Sequence, residues 1–459
     1  MRKIVVIGGS AAGMTAAITA ARQDPDARVT VVTQDRQPYR RPAVPALIAG
    51  YITRPADVKI FPSETLARYN ITLICPAEAT EIDTANKKIY IRSEGKEKKL
   101  SYDTAVITTG GYPIIPRIPG SDKKGVCTFT TYEAAAQIVE AARGGKSAVV
   151  IGAGFIALEI AEALMRKGLD VYFNVRSRIL RKLVEPDVSG LLINSFEKRG
   201  LRMLAGEAIS KIGGQDRVEY VVHKSKKIAT NLVVMGTGVR ANTALAEKSG
   251  IKLGRSGAIK VDNRMQTSIP DIYAAGDCAE SPDRGTGKFV YLPVGSIGAS
   301  AGKIAGTNAA GGDKQTIGFL RAQADEILGM QIFSIGHSST SAKQVNLEVN
   351  LHNLTVPVES RLTKPFETAK MLTNSNDEIV GAQLVAKKHG SQFAWQMYQA
   401  VSEGADRKEF LSRFNSPRLR MAEAFANIAE LPILVENTGE GKALTLGDAT
   451  SRKNIKLVK

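Results

Sequence analysis

The chain is poor in sulfur and imidazole, with 3 cysteines and 4 histidines among 459 residues. Cys75, Cys127 and Cys278 are too few for a disulfide-stapled secreted scaffold, and their spacing makes no zinc cluster. Four scattered histidines argue against a histidine-rich metal site. No apolar run approaches the ~18 residues that a membrane span needs. Short-period repeats and low-complexity tracts are missing too. What remains, 43% hydrophobic and 23% charged residues, is ordinary for a globular enzyme, and the length suits about three domains. The charge is lopsided at +17, which favours an anionic ligand or partner but says nothing about fold. No nucleic-acid motif accompanies that charge, so a nucleic-acid partner is not expected.

Met1-Arg2-Lys3 before an apolar stretch imitates a secretory signal, but Gly8, Gly9 and Gly13 interrupt the run. A strand, a glycine turn and a helix explain the segment better, and a cytoplasmic protein without a membrane anchor is expected. Ile4-Val5-Val6-Ile7 is the strand, Gly8-Gly9-Ser10-Ala11-Ala12-Gly13 the turn, Met14 to Arg22 continues the helix, and Arg28 to Val32 is the next strand. The pattern returns as Ala148-Val149-Val150-Ile151, Gly152-Ala153-Gly154-Phe155-Ile156-Ala157, a helix from Leu158 to Lys167 and a strand at Asp170 to Phe173. Two such units imply two dinucleotide-binding domains. In each, glycine lets the backbone approach a pyrophosphate, and the helix N-terminus offers free N–H groups and partial positive charge. Ser10 replaces the second glycine of G-x-G-x-x-G in the first copy, and Ala157 the third in the second.

With these units in place, the sequence resembles the FAD-dependent pyridine nucleotide–disulfide oxidoreductase superfamily. Tyr102 to Gly110, with Thr109-Gly110 at its end, is similar to the strand and turn where the chain leaves the FAD domain. Asn231 to Asn242, including Gly238, is similar to its return, and Thr267 to Cys278 to the second FAD motif, whose aspartate is Asp277. Leu292 to Ser296 and Gly302 to Gly306 resemble the branch of NADH oxidases and coenzyme A-disulfide reductases.

The resemblance implies an α/β fold of two Rossmann-like domains and a C-terminal α+β dimerisation domain. Residues 1–113 and 245–325 would form the FAD domain, 114–244 the NAD(P) domain, and 326–432 the interface domain of a homodimer. Residues 433–459 would be a basic tail, most simply a solvated end. Phe366 to Leu384 has the alternation of a hairpin, and Gln392 to Glu403 reads as an amphipathic helix.

For FAD the resemblance implies Gly8, Gly9, Ser10, Ala11, Ala12, Gly13, Ala79, Thr109, Gly110, Asp277, Val294 and Gly295. An acid usually ends the second strand to hold ribose; Thr33 takes that place here, leaving Asp35 as the candidate, with a turn role as the alternative. For the nicotinamide nucleotide it implies Gly152, Gly154, Phe155, Ile156 and Gly238, with Phe155 or a neighbour gating the flavin face. Glu159 matches a glutamate near the nicotinamide and is the one catalytic candidate, a solvated helix charge being the alternative. Arg176 and Arg178 follow the second strand where an acid is missing, which leans towards NADPH over NADH.

The informative departure is at Pro42. Disulfide-reducing relatives carry a cysteine beside the flavin, and aligning Pro45 with the branch's Gly-Leu-Pro pattern puts Pro42 in its place. Proline has no thiolate, so it cannot attack a disulfide. The histidine that peroxide- and oxygen-reducing relatives use in the first turn is also missing, at Ala11 and Ala12, and residues 414–418 lack the Tyr- or His-containing motif of related reductases. Tyr39-x-Arg41-Pro42 is instead similar to rubredoxin and ferredoxin reductases, with Arg41 facing the FAD pyrophosphate. The expectation is an FAD-dependent NAD(P)H oxidoreductase that hands electrons to a small acceptor, a quinone, oxygen or an acidic carrier such as ferredoxin or rubredoxin. A flavin-bearing subunit of a larger complex and a coenzyme A-disulfide or persulfide reductase are the alternatives.

Overall fold

The computed structural model describes residues 1–54, 63–129, 131–354 and 366–414. Residues 415–418 and the basic tail fall outside them. Two compact units emerge, Met1–Arg321 and Ala322–Lys459.

In the first unit, strand Lys3–Ile7 lies centrally in a five-stranded parallel sheet. Arg28–Val32 and then Ile71–Ile74 pair on one side, Thr104–Ile107 and then Ile272–Ala274 on the other. Ile4, Val5, Val6 and Ile7 are all buried, as expected of a parallel strand covered on both faces. The strand order reverses about Lys3–Ile7, so a crevice opens beyond its carboxyl end, where Gly8 lies.

Helices Ala11–Gln23 and Gly295–Ala309 pack closely through small residues. A Cβ on Gly302 would fall 2.2 Å from the Ala12 carbonyl oxygen, and one on Gly306 2.2 Å from that of Ala16. The two contacts advance together along both helices, so the helices run parallel and their N-termini point the same way.

A second five-stranded parallel sheet has Ser147–Gly152 at its centre. Asp170–Val175 and Arg202–Ala205 lie on one side, Val233–Gly236 and Val126–Thr128 on the other. Helix Phe155–Arg166 follows the central strand. A two-stranded antiparallel ribbon, Gly111–Pro113 with Val239–Ala241, carries the chain out to this sheet and back. Thr109 and Asn242 fasten its base: the Thr109 hydroxyl donates to the Asn242 carbonyl at 2.7 Å, and the Asn242 amide to the Thr109 carbonyl at 3.3 Å.

The second unit is an antiparallel sheet in the order Ala322–Ile327, Met330–Gly336, Ile379–Ala386, Thr368–Thr373, Asn350–Leu354. The alternation read over 366–384 becomes the hairpin of Thr368–Thr373 and Ile379–Ala386. The amphipathic stretch becomes helix Gly390–Glu403, packed on the Met330–Gly336 and Ile379–Ala386 strands.

Candidate functional site: two glycine turns and a cationic edge

The first turn is built by steric necessity. A Cβ on Gly8 would lie 2.1 Å from the Thr108 carbonyl oxygen, and one on Gly13 1.9 Å from that of Gly8, so both positions demand glycine. The Thr108 hydroxyl donates to the Ile7 carbonyl at 2.9 Å, locking the neighbouring strand under the turn. Ser10 stands at the N-cap of helix Ala11–Gln23 without a side-chain cap bond, and Val294 stands likewise before helix Gly295–Ala309. Two parallel helices thus present uncapped N–H groups and positive dipole ends to the same side, which suits a polyanionic ligand.

Thr33 is buried at 4% exposure and packs beneath the turn: a Cβ on Gly9 would be 2.9 Å from its Cβ and Cγ2. It is a packing residue, and Asp35 is the first carboxylate after the strand. Burial pushes the carboxyl pKa of both Asp35 and Asp277 up, and in both Arg41 pulls it back down. One guanidinium therefore acts on both carboxyls. Arg41 also lies over the Tyr39 ring, its Cζ 5.9 Å from the centroid. Tyr39 is buried, its phenol pKa pushed up to about 12, and its hydroxyl accepts the Tyr132 N–H at 3.2 Å.

Pro42 is exposed on the short turn Arg41–Ala43, leading into helix Val44–Ala49, which packs on helices Phe155–Arg166 and Tyr132–Ala142. Of the three thiols, Cys127 and Cys278 are buried, and burial pushes the pKa of all three up. Cys278, next to Asp277, donates to the carbonyls of Ala275 and Ile107. None is a thiolate in waiting.

Sequence reading missed Tyr291. Its hydroxyl is buried without a hydrogen-bond partner among the described residues, and burial together with the charges of Asp277 and Cys278 raises its pKa. A buried hydroxyl near Asp277 with no protein partner fits a site completed by a polar ligand. No motif marks it, since its only signal is its place two residues before Pro293. Ala79 lies half-buried on strand Glu78–Asp83, at a register shift.

In the second turn, a Cβ on Gly152 would be 2.4 Å from the Gly236 carbonyl oxygen, whereas one on Gly154 would meet nothing within 4 Å. Gly154 is the uncapped N-cap of helix Phe155–Arg166. Ala157 is tolerated because Gly236 opposes it: a Cβ on Gly236 would already be 3.0 Å from the Ala157 methyl. Phe155 is buried in the core, so the exposed neighbour on this helix is Ile156, 46% exposed, with half-buried Glu159 one turn along the same face. Gly238 has a positive φ of 101° close to the ribbon.

Beyond strand Asp170–Val175 the chain folds back over the turn, the Leu180 N–H donating to the Ala153 carbonyl at 2.6 Å. Arg178 is consumed by this loop, donating to the carbonyls of Val184 at 2.6 Å and Arg181 at 3.1 Å. Asn174 is fully engaged too, donating to Leu204 and Glu207 and accepting from Ile209. Arg176 is exposed immediately after the strand. Among the described residues, no cluster of His, Cys, Asp or Glu could hold a metal ion, and no helix is long and apolar enough to cross a membrane.

Residues 2–291 match the pyridine nucleotide-disulphide oxidoreductase family. The chain belongs to it. A Methanocaldococcus jannaschii NADH oxidase is 33% identical over 83% of this chain and 87% of its own. Among solved structures, an NAD-dependent persulfide reductase from A. fulgidus aligns with a TM-score of 0.85 at 29% identity, covering 93% of this chain and 83% of the other. An engineered water-forming NADPH oxidase, a mutant of the Lactobacillus brevis NADH oxidase, aligns with a TM-score of 0.83 at 25% identity, covering 89% and 92%.

Proposed function

We propose that this chain is an FAD-dependent NAD(P)H oxidoreductase whose flavin passes electrons to an external acceptor with no protein thiol in the path. The observation that carries the second half is the state of the sulfur: all three cysteines have raised pKa values, and aligning Pro45 with the branch's Gly-Leu-Pro pattern puts exposed Pro42 in place of the redox cysteine. Bound FAD supplies the hydride acceptor and the outgoing electrons. The chain's own groups hold and orient it: the first glycine turn and Ser10 at the pyrophosphate, Asp35 at ribose, Asp277 at the ribityl chain, Arg41 between them, and the Gly295 helix end at the flavin ring. Gly152, Gly154 and the N–H groups of helix Phe155–Arg166 take the nicotinamide nucleotide's pyrophosphate, with Ile156 and Glu159 facing its reactive end.

The nucleotide is NADPH in preference to NADH. The engineered NADPH oxidase differs from its parent by a glycine changed to alanine and, eighteen residues later, Asp-Ala-Met changed to Ala-Arg-Ser, with a proline seven residues after that aspartate changed to arginine. The same spacing in this chain gives Ala157, then Val175-Arg176-Ser177, then Lys182. All five positions carry the engineered residue or a side chain of the same kind: no carboxylate, an arginine, a serine and a second cation. A free carboxylate would repel a 2′-phosphate, and these cations attract it.

A second reading, reduction of coenzyme A persulfides or disulfides, is favoured by the persulfide reductase likeness and opposed by Pro42. We place the chain in the cytoplasm and take its C-terminal unit to pair two copies. Anaerobic titration with NADPH and NADH tests the main reading. Two-electron bleaching, faster with NADPH and without a long-wavelength charge-transfer band, is expected. Uptake of four electrons with such a band would reveal a redox thiol and overturn it, as would no bleaching by either nucleotide.

A further inference from the structure

We infer that the edge of the flavin site around Pro42 is a docking face for a small acidic one-electron carrier protein, an inference that rests on the thiol-free reading above. From Gln34 to Arg54 the only carboxylate is Asp35, which is half-buried and electrostatically coupled to Arg41. None of the exposed side chains here is acidic: Arg36, Arg40 and Arg54 are cationic, Pro42 and Tyr51 largely apolar, Gln34 and Thr53 neutral. Arg36 and Arg40 precede Pro42, and no carboxylate pairs with either among the described residues. At the other end of helix Val44–Ala49, Tyr51 is 67% exposed under the Arg166 guanidinium, whose Cζ lies 5.3 Å from the ring centroid. Arg166 itself pairs with Glu162 at 2.9 Å, whereas Lys167, with no carboxylate partner among the described residues, brings its Nζ to 3.9 Å from where a Gly50 Cβ would be.

The arrangement says what kind of partner fits. Exposed tyrosine and arginine are residue types enriched at protein interfaces, and the lysine adds to the charge of the rim. The cations lie at the two ends of a six-residue helix ~9 Å long that carries none itself, Arg36 and Arg40 before its start and Arg166 and Lys167 near Tyr51 and Gly50 beyond its end, a spread layout unlike the single focus of a phosphate cradle. Their sign selects an acidic partner and speeds its approach. The place matters equally: Arg41, adjacent in sequence to both Arg40 and Pro42, is the cation that acts on both Asp35 and Asp277, which puts this face beside the proposed cofactor site. The step balances as one NADPH and two oxidised carriers giving NADP⁺, one proton and two reduced carriers.

The holoenzyme, with oxidised rubredoxin as acidic probe, basic cytochrome c as contrast and menadione as uncharged acceptor, tests this. The Arg36→Glu/Arg40→Glu/Lys167→Glu variant is expected to lose about tenfold or more in kcat/KM for rubredoxin and much of its salt dependence, while menadione reduction and the flavin spectrum stay unchanged. The triple glutamine variant, which adds no new charge, should fall in between and covers a folding failure of the first. Rubredoxin reduction indifferent to both variants and to salt would overturn the docking face. So would a raised KM for coenzyme A persulfide with rubredoxin unaffected, which would assign the rim to the phosphates of coenzyme A. Failure of menadione reduction in the unmodified protein would instead sink the oxidoreductase reading beneath it.

Discussion

The Tyr39 hydroxyl accepts the backbone N–H of Tyr132 at 3.2 Å, joining the segment before Pro42 to the first residue of helix Tyr132–Ala142. That N–H is one of the four a helix start leaves without an internal partner, and Thr131 already caps Ala134. Burial holds the phenol neutral, its pKa at about 12, so the contact persists across any working pH. Tyr39→Phe should cost about 1 kcal/mol of stability, read as a lower thermal midpoint, with the flavin spectrum retained. An unchanged midpoint would show that water satisfies the N–H equally well.

Asp277 separates binding from stability. Its folded-state pKa is raised by burial, more than Arg41 restores, so its charge opposes folding of the apoprotein at neutral pH. The sign follows: the apoprotein gains stability as pH falls through the raised folded pKa towards the unfolded value, and loses it in the other direction. Asp277→Asn should therefore leave the apoprotein at least as stable at pH 7 and flatten this pH dependence, while FAD binds about tenfold or more weakly. Thermal melts against pH and fluorescence titration with FAD check the two halves.

The close helix pair makes a steric prediction. Gly302→Val would drive a side chain into the Ala12 carbonyl, whose helix start faces the candidate pyrophosphate site. A cost of about 1–3 kcal/mol is expected from overpacking, together with loss of FAD during gel filtration. Gly154→Ala, whose added methyl meets nothing within 4 Å of the protein, should fold normally. A Gly302→Val protein that keeps its flavin and its midpoint would mean that the helices part without effect on the turn.

Much of this was legible because the fold's constraints are local. Ile4 to Gly13 and Ala148 to Ala157 each write a strand, a turn and a helix start in one unbroken stretch, and the sheets place both turns at strand-order reversals. Side chains whose roles depend on distant partners were not legible. Arg178 looks from sequence like a phosphate ligand, yet its donors go to the carbonyls of its own loop. Phe155 opens the helix in sequence but points into the core, leaving Ile156 outside. Gly298, Gly302 and Gly306 repeat every four residues, a visible signal of close helix contact, but only the fold shows that Ala12 and Ala16 are what they meet. Tyr291 had no signal beyond its place two residues before Pro293.

Nucleotide choice can be set by the residues after strand Asp170–Val175. Arg176 is exposed there, whereas Arg178 is committed to its loop and Asn174 is buried with its amide fully used. Arg176→Ala should weaken NADPH about tenfold or more and leave NADH within about twofold, because only NADPH carries the phosphate that a guanidinium binds in bidentate fashion. Lys182 should contribute less at alkaline pH: burial and the neighbouring charges of Arg321 and Arg181 lower its pKa, so its positive charge is lost earlier on the way up than an ordinary lysine's. A bound 2′-phosphate opposes that loss by favouring the ammonium, so NADPH binding should take up protons as pH approaches the lowered pKa, and Lys182→Met should abolish the uptake. Calorimetry in buffers of different ionisation enthalpy, with NADH as the phosphate-free control, measures it. Equal proton uptake with NADH, or an Arg176→Ala protein that weakens both nucleotides alike, would assign the phosphate to another part of the surface.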